Sequence, residues 1–261
     1  RLALIQRAAR IGAELIGPPE PSADGEIIAM AIDGLWSLGI QDVYIVVGHV
    51  GVVMAALTEF NLSERAKLFL ISNIADLKSG RADAVAKKAA DLGFITDAKT
   101  DDARVAADRE KLESTIEQVI AEGIGVQLGR NTGSRTPEEI IARLTRKMSL
   151  ADNPEDFKRA LEMLSNLSQV NGGIHDALEA GRNVLKTAGI SKDPIINLAE
   201  VLNAAQDERV SGDRLIVDFG IARGIAYYTG MLFDIYEGQN RTDTLGGGGR
   251  YDGLTRALGY D

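Results

Sequence analysis

The 261-residue sequence contains no cysteine. Disulfides, thiolate-held metals and a cysteine nucleophile are thereby excluded. Histidine is nearly absent too: His49 and His175 are the whole supply, too few for a multi-histidine zinc site, so no metal site is expected. Apolar runs are short and are interrupted by Gly, Asp or Lys, so neither a helical membrane span nor a secretory leader is expected. No membrane association is expected, and the lack of cysteine suits a cytoplasmic protein. Basic residues are in deficit, with 29 Lys and Arg against 38 Asp and Glu and a net charge of −9. Proteins that grip nucleic acid draw much of their affinity from a basic face, so this balance weighs against RNA binding by the chain alone.

What remains is an ordinary globular composition, 45% apolar and 26% charged. The length suffices for one large domain, or for one domain carrying an insertion. The chain opens on RLALIQRAARIGAELIG and closes on ALGYD after a glycine-rich stretch. Both ends read as cuts through a domain.

The pattern along the chain predicts an α/β (α+β) protein. A strand is expected at the start. PPEPSADGEIIAMAIDGLWSLGI (18–40) then reads as a helix. Ser22 is its expected N-cap, Asp24 and Glu26 suit the positive end of its dipole, and Gly39 suits the position after its C-cap. Ile28, Ala31, Ile32 and Leu35 form an apolar stripe at helical spacing. DVYIVVG (42–48) is β-branched and reads as a buried strand. From about 52 to 206 helical signals dominate; Pro137 and Pro154 each follow an N-capping residue and precede acidic residues. RLIVDFG (214–220), YYTGMLFDIY (227–236) and TLGGGGRYDGL (244–254) return to strand composition, and the last two can pair antiparallel across the loop between them. The domain reading is a core formed by 1–59 and 208–261, with 60–207 as a helical insertion. His49 is expected to satisfy backbone groups at a strand end, and His175 to be exposed on a helix. The charged run 101–113 reads as a solvated helix face.

Three stretches resemble the histidyl-tRNA synthetase family. IGAELIGPPEPSADGEIIAMA (11–31) is similar to the end of the family's second class motif and the helix after it. IARGIAYYTGMLFDIY (221–236) resembles its histidine-recognition motif, and GGGGRYDGL (246–254) the glycine-rich strand lining the same pocket. They occur in the family's order around a helical insertion. The resemblance implies a class II synthetase-like antiparallel sheet, a ligand (free histidine) and a set of contacts. Arg223 would pair with the ligand carboxylate through its planar, permanently charged fork; in a working ligase it would also act in catalysis, and no other catalytic residue is expected. Glu14 and Tyr228 would flank the imidazole. Gly247, Gly248 and Gly249 would let backbone approach the ligand, as residues without Cβ allow. Tyr227 and Tyr228 would alternate across a strand, one in the core and one toward the ligand. Arg250 and Asp252 are expected to be structural partners. A glycine-rich nucleotide loop is not expected, because neither GxGxxG in a strand–helix setting nor GxxxxGK[ST] is present.

The sequence departs from a working synthetase. The family glutamine four residues before the pocket glutamate is Arg10 here, a cation where the ligand ammonium would lie. The acidic residue before the paired tyrosines is Ala226. The first and third class motifs and the ATP-holding arginines of the second lie outside the sequence. These departures favour the synthetase-like regulatory subunit of ATP phosphoribosyltransferase, which VGHVGVVMAAL (47–57) also resembles. That reading implies no cofactor and a catalytic phosphoribosyltransferase subunit as partner. The alternative is a histidine–tRNA ligase, with ATP, Mg and tRNA; it is supported by Arg223-Gly224, which keeps the synthetase pattern. A third reading is a histidine-sensing module with another partner. A homo-oligomer is expected of the full-length protein.

Overall fold

The computed structural model describes residues 12–95, 152–190, 192–221, 228–242 and 244–253. The expected first strand, the Pro137 helix start and the charged run 101–113 lie outside them. Helix α1 (Pro21–Ser37) has Glu20 rather than Ser22 at its N-cap, with no side-chain cap. Pro21 takes the first helical position, where its missing N–H costs nothing and its fixed φ is already helical. The helix stops at Leu38, and Gly39 follows with φ +86°, the left-handed conformation expected there. Ile28 and Ile32 are buried, while Ala31 and Leu35 are partly buried against the same core.

Strand β1 (Val43–His49) is buried along its whole length. It passes without a loop into α2 (Val50–Thr58), followed by α3 (Glu64–Ser72), α4 (Ile74–Lys78) and α5 (Ala82–Asp91). Helix α6 (Pro154–Ser168) starts as predicted: Asn153 accepts from the backbone N–H of Glu155 and Asp156, and Pro154 follows it. Then come β2 (Asn171–Gly173), α7 (Ile174–Thr187) and α8 (Ile196–Asp207). A 3-10 turn (Gly212–Arg214) leads into β3 (Leu215–Asp218), and β4 (Met231–Glu237) and β5 (Thr244–Gly249) close the described chain.

The sheet order is β2-β3-β1-β4-β5. β4 and β5 pair antiparallel across their loop, as the sequence suggests. β3 does not neighbour β4, however. β1 lies between them, antiparallel to β4 and parallel to β3. A parallel pair needs a long crossover, and the helical chain between β1 and β3 supplies one. β2 was not expected at all; its Asn-Gly-Gly sequence has no β-former, and it is held by pairing with β3.

One face of the sheet carries Val43, Ile45, Val47, Val217, Phe233 and Ile235 into a hydrophobic cluster that also contains Leu70, Leu77, Leu164 and Leu198 from the helices. α1 lies directly on α8: a β-carbon on Gly25 would stand 2.7 Å from the carbonyl carbon of Ala204. Among the described residues no helix is long and apolar enough to cross a membrane.

Candidate functional site

By strand alternation, Gly48, Asp234, Gly247 and Gly249 face away from the helices, and of the predicted site residues Gly249 meets Tyr228 on this second face. β5 pairs Gly247 with Asp234 and Gly249 with Leu232. A β-carbon on Gly247 would lie 2.6 Å from Asp234 Oδ1, and one on Gly249 would lie 2.9 Å from Tyr228 Cδ1. The missing side chains are thus what lets a buried carboxylate and a half-buried aromatic ring sit against this strand. Tyr228 also faces Tyr251, with ring centroids 6.2 Å apart.

Gly248 belongs to the other face. A β-carbon there would stand 3.1 Å from Phe233 Cε1, in the hydrophobic core. The pleat separates the three consecutive glycines expected to line one pocket: Gly247 and Gly249 lie on the second face, and Gly248 between them packs inward. Tyr228 also differs from its expected setting, since it precedes β4 instead of lying in it. It is held there because Thr229 N–H donates to the Arg250 carbonyl at 2.8 Å.

Glu14 is exposed on the extended segment before α1, and no contact brings it to Tyr228. Arg223, Tyr227, Arg10 and Ala226 lie outside the described residues. Among the described residues no cluster of His, Asp or Glu could hold a metal.

Arg250, one residue beyond Gly249, is the best-connected cation near the site among the described residues. Nε donates to both carboxylate oxygens of Asp24 at 3.1 Å, Nη1 to the Pro18 carbonyl at 3.2 Å, and Nη2 to the Glu20 carbonyl at 3.2 Å. Nη1 also reaches Asp252 Oδ1 at 3.4 Å. Asp252 in turn accepts from the Thr229 hydroxyl at 2.6 Å. Arg250 and Asp252 are structural partners, as the sequence reading expected. Asp24, read there only as a dipole partner, is the buried anion of the set. Burial pushes its carboxyl above the ordinary range, while the Arg250 hydrogen bond and charge pull it back.

His49 ends β1 and caps α2, its Nδ1 accepting from Val52 N–H at 3.2 Å. The ring therefore satisfies the backbone, as expected. Burial, and then the Arg250 charge, lower its pKa to about 4. Gly51 must be small, because a β-carbon would meet the His49 ring at 2.8 Å. His175 is exposed on α7 beside Glu179.

Asp218, at the end of β3, was missed by sequence reasoning. It is buried, ion-paired with Lys78 of α4, and its Oδ1 accepts from Gly220 N–H at 2.9 Å. A polar residue closing an apolar strand just before Phe-Gly was the available signal. Ile221 follows, and its Cγ2 occupies the place of a Gly48 β-carbon, 2.1 Å from that position.

The sequence model of the histidyl-tRNA synthetase family matches residues 2–124 and 137–261. The chain belongs to the histidyl-tRNA synthetase family. Its relatives include the histidine–tRNA ligase of Methanocaldococcus jannaschii, 29% identical over 96% of this chain and 42% of that protein. They also include the ATP phosphoribosyltransferase regulatory subunit of Geobacter sulfurreducens, 27% identical over 95% of this chain and 41% of that protein. The chain thus spans about two fifths of the length of the curated relatives it matches. Two solved structures share the fold at a TM-score of 0.53 each. One is an ATP phosphoribosyltransferase regulatory subunit/histidyl-tRNA synthetase from Bacillus halodurans C, 19% identical over 93% of this chain and 46% of that one. The other is the histidyl-tRNA synthetase of Nostoc sp. PCC 7120, 18% identical over 94% of this chain and 43% of that one. The class II synthetase-like fold expected from the sequence is therefore the fold of this chain.

Proposed function

We propose that this chain carries a binding site for free histidine within a regulatory subunit of ATP phosphoribosyltransferase. The observation that carries the histidine site is the pair Gly247 and Gly249, which opens the second face of the sheet beside Asp234 and Tyr228. A free amino acid needs a cation for its carboxylate, an acceptor for its ammonium and polar groups around its ring. Arg223 is the carboxylate partner, Tyr228 and Glu14 serve the imidazole, and the glycines supply the close backbone, with Tyr227 beside them. The regulatory branch rests on Arg10 and Ala226, which replace an acceptor and an anion that an adenylating pocket uses. The 27% identity to the Geobacter sulfurreducens regulatory subunit agrees with it. The partner is then a catalytic phosphoribosyltransferase subunit, and the setting cytoplasmic.

The second reading, a histidine–tRNA ligase using ATP, Mg and tRNA, is favoured by one observation, the 29% identity to the Methanocaldococcus jannaschii ligase. Histidine-dependent exchange of pyrophosphate into ATP separates the two. The regulatory reading expects the intact protein to show no exchange above a heat-treated control and to co-purify with a short-form catalytic phosphoribosyltransferase subunit. Exchange well above the control establishes the ligase instead.

A further inference from the structure

Two arginines fall in the motifs that would surround the ligand, Arg223 and Arg250, and only the second has its contacts on display. Each of its three guanidinium nitrogens already has a protein acceptor: the Asp24 carboxylate, the Pro18, Glu20 carbonyls and Asp252. The group is largely buried, with 17% of the side chain exposed. Its hydrogen bonds use four of the five N–H groups, and the burial leaves little of the guanidinium for a ligand carboxylate. By strand register it also points to the face shared with α1, away from Gly247 and Gly249.

The contacts it does make share a pattern. Pro18 and Glu20 belong to the segment that carries Glu14. Arg250's own backbone accepts from Thr229 N–H and donates to the Met231 carbonyl, both at 2.8 Å, next to Tyr228. Gly249 precedes it in the strand. One residue therefore ties together three segments, each holding a residue of the proposed pocket. Glu14 and Pro18 are four Cα–Cα steps apart and can be separated by at most about 14 Å, so anchoring Pro18 confines Glu14 to the neighbourhood of this strand end. Asp24 fixes the same segment from its other side, because it lies in the first turn of α1.

We infer that Arg250 is a positioning residue of the pocket, which holds the segment bearing Glu14 against the strand end bearing Gly249 and Tyr228. The inference rests on the histidine reading for its ligand. It does not rest on that reading for the ordering of the segment.

The test is a double-mutant cycle on the intact protein, with histidine affinity by calorimetry and hydrogen exchange of residues 12–20 as paired readouts. Arg250→Lys keeps the charge and removes the fork; Asp24→Asn loosens the same clamp by a milder change. Each is expected to weaken histidine by about tenfold or more and to raise exchange in 12–20 while β1 and β3 stay protected. Combined with Glu14→Gln, Arg250→Lys is expected to cost no more than the larger single effect, because both act through one contact. Additive losses, or parent-like affinity in Arg250→Lys, overturn the positioning role. If the parent binds no histidine, the pocket reading falls, and the exchange result decides alone whether Arg250 orders the segment: unchanged exchange overturns that too.

Discussion

Gly249 and Tyr228 are in such close contact that a β-carbon on the glycine would stand 2.9 Å from the ring and 2.7 Å from the Met231 carbonyl oxygen. A methyl group cannot fit there without moving the β4 backbone or displacing the ring. Gly249→Ala is therefore expected to cost about 1–3 kcal/mol of stability, as overpacking does, and to weaken histidine binding. Gly246→Ala is the control, since nothing lies within 4 Å of its added carbon. Urea titrations of both variants check this. Equal stability of the two would show that the glycine contact is not tight.

His49 makes stability depend on pH. Its folded pKa, about 4, is below the ordinary value of 6.5 because burial and Arg250 disfavour the imidazolium. The unfolded chain then binds a proton that the folded one refuses. The stabilisation is complete above pH 6.5 and is lost as pH falls toward about 4, amounting to an effect on the order of 3 kcal/mol. Denaturant unfolding at about pH 7 and at about pH 4 measures it. His49→Asn, which can still cap α2, is expected to lose correspondingly less between the two. The same loss in parent and variant would remove His49 as the source.

The buried pair at the end of β3 is unequal. Asp218 serves both Lys78 and Gly220 N–H, whereas the Lys78 side chain is 35% exposed and can turn to water. Asp218→Ala removes the buried charge itself, frees a lysine that can turn to water and orphans one backbone N–H, and is expected to cost about 1–3 kcal/mol. Lys78→Ala leaves the buried carboxylate without its cation and is expected to cost at least as much. The shift in urea midpoint ranks them, and a near-neutral Lys78→Ala would contradict a pairing role for Lys78.

Much of this was legible in the sequence, for identifiable reasons. The β-branched run before Gly48 has the composition of a buried strand, and Asn153-Pro154 is a helix start by local chemistry alone. Tertiary pairs were not legible. Arg250 and Asp24 lie 226 positions apart, and nothing local to either names the other. Asp24 looked like a dipole partner because that role needs only its own helix. Gly248 is different. Its inward position follows from the two-residue period of a strand, and treating the glycine run as one patch overlooked the pleat. The N-cap at Glu20 reflects a competition that Pro21 wins over Ser22. The parallel pairing of β1 and β3 turns on which strand inserts between the last ones, a choice made by packing. As for the candidate site, Tyr228 and Gly249 come together as motif reasoning implied, whereas Glu14 stands exposed, tethered through Pro18 and Arg250.

The proposed histidine site has Arg223 as its carboxylate anchor. Calorimetric titration of L-histidine into the intact protein and its Arg223→Ala variant decides whether it does. A charge-assisted pair with a carboxylate contributes about 1.5–3 kcal/mol, so the variant is expected to bind about ten- to a hundredfold more weakly than the parent. A parent that binds no histidine would remove the site, and a variant that binds it as tightly as the parent would remove Arg223 as its anchor.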